Sequence, residues 1–70
     1  MMNPGGTAIG RIVHFVTAEG DHVAAMITGV SAESVNLRVF FDSPTAVEWR
    51  CNAVYSDLPT PSTWHFPERA

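Results

Sequence analysis

Apolar and polar side chains alternate with a period of two through most of this chain. Val35, Leu37, Val39 and Phe41 fall on one side of a segment whose other side carries Asn36, Arg38 and Phe40. Val47, Trp49, Cys51 and Ala53 alternate in the same way with Glu48, Arg50 and Asn52. Period-two patterning rich in β-branched and aromatic residues predicts strands with one buried face. Between the two segments, Asp42-Ser43-Pro44-Thr45 supplies a turn with proline in its favoured second position. An antiparallel hairpin follows, with Trp49 and Cys51 on the core side and Arg38 and Arg50 facing out.

Upstream, Gly10 to Val16 reads as a first strand, with Arg11, Val13 and Phe15 on one face and Ile12, His14 and Val16 on the other. A turn at Glu19-Gly20-Asp21 leads into His22 to Val30, where Val23, Ala25 and Ile27 share a face. The alanines there also suit a short helix. Segment length and the bracketing glycines favour a strand. Ser31-Ala32-Glu33-Ser34 makes the next turn.

The stretch from Pro59 onward is the fifth element. A terminal tail is ordinarily polar and frayed, yet this one carries Trp64 and Phe66, and its prolines lower the entropy lost on ordering. Pro59 and Pro61 bar it from the middle of a sheet. Thr63 to Phe66 can pair along an edge, with Trp64 and Phe66 on one face and His65 on the other. The expected fold is therefore all-β: a small antiparallel meander closing into a five-stranded barrel or half-barrel, the C-terminal tail serving as last strand beside the first. Residues 1–8 are expected to form a disordered leader, and 9–70 a single domain.

Size changes the picture in one respect. Seventy residues bury only about 60% of the surface the unfolded chain exposes, and such scaffolds lean on disulfides, metals or association. One cysteine excludes an internal disulfide. One Cys and three scattered His give no ligand pair at short spacing, so no metal site is expected. Homo-oligomerisation is the remaining supplement. The net charge of −3 and the absence of lysine argue against general nucleic-acid binding. No apolar run is long enough for a membrane helix, the first residues lack signal-peptide character, and a lone thiol suits a reducing cytoplasm. The expected location is cytoplasmic, with no membrane association.

Candidate chemistry is sparse. No Gly-rich phosphate loop and no carboxylate pair at acid–base spacing is present, so an enzyme and a cofactor are not expected. Cys51 reads as a packing residue. The histidines read first as polar-face residues of their strands, although a tail beside the first strand brings His14 and His65 together, where a metal or general-base role becomes conceivable. Arg38 and Arg50 read first as surface partners of Glu48 and Asp42. Arginine with nearby aromatic surface also suits a flat anionic ligand such as a nucleotide. The candidate ligand-binding residues are Arg11, His14, Arg38, Trp64, His65 and Phe66.

Three segments, Ile9-Gly10-Arg11-Ile12-Val13-His14-Phe15-Val16, Ala24-Ala25-Met26-Ile27-Thr28 and Thr63-Trp64-His65-Phe66-Pro67-Glu68, together resemble a group of small actinobacterial, prophage and tailed-phage proteins. Members of that group begin near IGRIVHYV, carry a CRAAIVTEV-like segment and end near GTWHWPE. Here Phe66 stands for the usual Trp, Ser62 for Gly, the loop from Thr17 to Asp21 is short, and the middle cysteine is replaced by His22 or Val23. The resemblance implies a phage or prophage accessory protein. By size, class and origin it implies a homo-oligomeric anti-defence sponge that sequesters a nucleotide-derived signal without catalysis. In that reading Trp64, His65, Phe66 and His14 wall a pocket, and Arg11 or Arg38 holds an anionic group. The alternative is a structural or protein–protein interaction module, a virion component or host-factor binder.

Overall fold

The computed structural model describes residues 2–67; Glu68 of the closing motif, the rest of 68–70 and Met1 of the leader lie outside the described residues. Five strands, β1 (Ile12–Val16), β2 (His22–Val30), β3 (Val35–Phe40), β4 (Val47–Tyr55) and β5 (Thr63–His65), form a closed barrel in the order β1-β2-β3-β4-β5. The fold is all-β, as the alternation predicts, and the Ala-rich second segment is a strand.

The meander is antiparallel through β1–β4, and β5 runs antiparallel to β1 but parallel to β4. Parity requires this. Strands that alternate up and down around a ring of five cannot all be antiparallel, so one parallel pair must appear. It falls where the connection is long enough to return along the barrel, the Pro-containing segment 56–62. Ser62, at φ 68°, ends that segment and donates its N–H to the Val16 carbonyl at 2.8 Å.

The core is built from the inward faces of all five strands: Val13 and Phe15, Ala25 and Ile27, Val35, Leu37 and Val39, Ala53, and Trp64. Trp64 is 0% exposed and is its largest fully buried side chain. Tyr55 and Phe66 pack edge-on against its indole, with centroids 5.1 and 5.4 Å away. The tail thus docks on its own barrel and supplies a central piece of a core that Phe15 and seven aliphatic side chains would otherwise leave hollow.

One assignment of faces is corrected. On β4 the sequence places Val47, Trp49 and Cys51 inward with Ala53, but Val47, Trp49 and Cys51 are exposed. The reason is a bulge. Ala53 pairs with Val35, whereas Leu37 pairs with Arg50, so three steps on β4 match two on β3. The extra residue reverses the alternation. Asn52 absorbs it with φ 56°, and its N–H donates to Asn36 Oδ1 at 3.2 Å. Arg50, expected outward, therefore lies on the inward side. A second shift between Ile27 and Gly29 bends β2, and these two bulges in the two longest strands let a small sheet curl onto itself.

Ahead of β1, the Asn3 side-chain amide donates to the Ser31 and Ser34 carbonyls of the β2–β3 turn at 2.7 and 3.2 Å. Gly6, at φ 90°, sits where a Cβ would touch both Arg11 and Phe66.

Candidate functional site

The short β5 shapes a concavity beside β4. β4 meets β5 only through Val54 and Tyr55, so residues 47–51 run on beyond the last strand with β3 on one side and no strand on the other among the described residues. A notch opens between this half of β4 and the β1–β2 turn. It holds a cavity of about 620 Å³, within the range of small-molecule sites. Phe15, Val23 and Phe41 give its apolar wall, and Glu19, Asp21, Asp42 and Glu48 its carboxylates.

Arg50 is the one guanidinium in this lining. It is held by Glu48, with Nη2 2.6 Å from Oε2, and lies over the Phe15 ring, 5.7 Å from its centroid. The bulge at Asn52 is what turns both charged side chains toward the notch. One cation and four anions leave the cavity with an acidic rim. Sequence reasoning missed this site because it gave Glu48 and Arg50 to the opposite face; the signal that reveals it is a strand register with one residue too many.

The expected site residues do not gather in one place. Arg11 lies at the other end of β1 from the cavity, with its guanidinium carbon 5.0 Å from the Phe66 ring centroid. Arg38 is exposed on the outer face of β3, between Met26 and Trp49 on the neighbouring strands. Trp64 fills the core and has no surface left to wall a pocket.

His14 and His65 do meet. They are direct cross-strand partners, 5.6 Å apart between ring centroids. A third imidazole joins them: His22 lies 4.8 Å from His65 and 6.1 Å from His14. The β1–β2 turn fixes this, since Thr17 N–H donates to the Asp21 carbonyl at 2.9 Å and sets Val16 opposite His22. His22 then sits diagonally from His14 on the same outer face. Spacing along the chain conceals the trio, because antiparallel register, not sequence distance, makes these residues neighbours.

At the β4–β5 corner, Tyr55 donates its hydroxyl proton to the Asp57 carboxylate, and this bond together with partial desolvation holds the phenol above its ordinary value. No protein-family model, curated protein or solved structure matches the chain.

Proposed function

We propose that this protein is a non-catalytic binding module that captures a small, flat, weakly charged or cationic ligand in the notch beside β4. The observation that carries the proposal is the composition of the cavity, an aromatic and aliphatic wall beneath a rim of four carboxylates and one already paired arginine. Phe41 offers stacking or edge contact to a ring, and the apolar floor beneath it includes Phe15. Carboxylates accept hydrogen bonds from exocyclic amines, as they do from the amino group of cytosine. A nucleotide-derived ligand accordingly enters by its base, because a phosphate would meet net negative charge. With the resemblance to phage and prophage proteins, capture without turnover supports a sequestering role in a host cytoplasm.

Calorimetric titration and thermal-shift measurement against nucleosides, their phosphates, cyclic dinucleotides and aromatic amines test this reading. A nucleoside or aromatic amine is expected to raise Tm more than the matching phosphate does, and Phe41→Ala is expected to abolish the difference. Stabilisation by phosphorylated ligands alone overturns the charge argument, and no stabilisation by any of them overturns the binding proposal.

A second reading is favoured by the same notch and the surface behind it. Residues 47–51 present an open strand edge, and the outer face next to it exposes Trp49, Phe40 and Val47, with Trp49 at 54%. Open edges and exposed aromatics are the surfaces through which chains associate. We assign this surface to a second copy of the chain, the supplement that so small a core calls for. Light scattering over a concentration series checks it: a dimer or larger ring that Trp49→Glu converts to monomer supports the assignment, and a monomer at all concentrations rejects it.

A further inference from the structure

We propose that His14, His22 and His65 form a binding site for a borderline divalent cation of the Zn2+ type, which ties the closing strand β5 to β1 and β2. The site lies on the outer face of the barrel and is independent of the notch beside β4.

The three imidazoles come from three adjacent strands, and one nitrogen of each lies within 4.8 Å of the others. A tetrahedral ion with Zn–N bonds of about 2.0–2.1 Å needs ligand nitrogens roughly 3.4 Å apart. The side chains must close by up to about 1.4 Å, which rotation about their two side-chain bonds supplies without moving a strand. The backbone is already set for this, because His14 and His65 are direct ladder partners and the hydrogen-bonded β1–β2 turn fixes His22 beside them.

Burial separates this arrangement from three polar residues that happen to share a surface. His65 is only 6% exposed although it points away from the core, His14 is half-buried, and only His22 is open to solvent. A graded burial of this kind leaves one side of the cluster accessible to an entering ion while the other side is held rigidly by the ladder. The donor set selects the metal. Three neutral imidazoles suit Zn2+, Co2+, Ni2+ and Cu2+, whereas Mg2+ and Ca2+ require oxygen ligands. Three protein ligands also leave a fourth position for water or an exogenous donor.

The gain to the fold is specific. β5 has three residues and meets β1 through only two ladder pairs, His14 with His65 and Phe15 with Trp64. An ion bonded to His65, His14 and His22 fastens that strand to both of its neighbours on the closing side, and holds Trp64 in the core by the adjacent peptide. It provides the staple that the cysteine count denies this chain.

The test uses untagged protein stripped with a chelator and titrated with ZnCl2 by calorimetry, with Tm followed in parallel. One equivalent of Zn2+ is expected per chain, with a rise in Tm that Mg2+ and Ca2+ do not reproduce. Co2+ is expected to give the intense visible bands of a tetrahedral site. His22→Asn, at an exposed position that the core does not depend on, is expected to weaken Zn2+ binding at least tenfold, and Cys51→Ser to leave it unchanged. Absence of stoichiometric binding overturns the proposal. So does binding that survives both His22→Asn and His14→Asn, or binding lost in Cys51→Ser, since either places the ion elsewhere.

Discussion

Leu37 and Arg50 face one another across the β3–β4 ladder, so that a guanidinium shares the inward side of the sheet with a fully buried leucine. The pairing follows from the extra residue at Asn52, and the same shift carries Cys51 to the outside. Ellman's reagent should therefore titrate one thiol per chain in native buffer, at a rate close to that in denaturant. A thiol that reacts only after unfolding would restore the face assignment that simple alternation suggests.

Among the described residues, two other than glycine hold left-handed backbone, Asn52 at φ 56° and Ser62 at φ 68°. Asparagine tolerates that region better than most residues; serine does not. Ser62→Gly, which restores the residue found in the group this chain resembles, is expected to raise the urea midpoint by the equivalent of up to about 1 kcal/mol. Asn52→Val should lower it by roughly 1–3 kcal/mol through strain at a β-branched residue. Unchanged midpoints in both variants would show that these conformations carry no strain.

Trp64 fills the barrel, and its Nε1 is buried with no hydrogen-bond partner among the described residues. Trp64→Ala should cost about 3–5 kcal/mol, comparable with the whole stability of roughly 4–10 kcal/mol expected for a chain of this length, and leave the protein largely unfolded by circular dichroism. Trp64→Phe removes the orphaned donor along with part of the volume. It is expected to keep the fold with a reduced midpoint, which chemical denaturation followed by far-ultraviolet dichroism measures.

The two tryptophans differ sharply in exposure, Trp64 at 0% and Trp49 at 54%. Under dilute conditions that keep the chain monomeric, iodide should quench one emitting population and spare the other. Trp49→Phe is expected to leave a blue-shifted, iodide-resistant spectrum, and a spectrum quenched in full would place Trp64 in contact with solvent.

Tyr55 is the sole tyrosine of the chain, so absorbance follows its ionisation without interference from another phenol. The Asp57 carboxylate accepts its proton in a hydrogen bond and holds the phenol above its ordinary value. A folded value above the unfolded one means that the contact stabilises the protein below the unfolded value, and that this stability is lost as pH rises through the folded value. The titration midpoint is expected above that of the unfolded chain, and Asp57→Asn should bring it down. Coincident midpoints in the two proteins would dismiss the contact.

Much of the barrel is legible in the alternation of Val35 to Phe41 and in the aromatic tail, because burial on one face imposes period two and a hydrophobic terminus needs somewhere to dock. The notch is not legible. It depends on a bulge at Asn52, and nothing in Val47-Glu48-Trp49-Arg50-Cys51 marks where the ladder gains a residue. The pairing of His14 with His65 follows once β5 is laid beside β1. His22 stays hidden until the β1–β2 turn fixes the register, since a slip of one residue would send its ring to the opposite face.

The antiparallel closure of β5 on β1 also sets a schedule for folding. β1 waits for a partner some fifty residues further along the chain, and loop closure over that distance is slow compared with hairpin formation. The local hairpins of β1 to β4 can form first, but the tryptophan that fills the barrel comes only with residues 63–65. Until then Val13, Phe15 and Leu37 line an open trough. The open trough is sticky toward other chains, and it becomes inert when β5 slides in and Trp64 fills it.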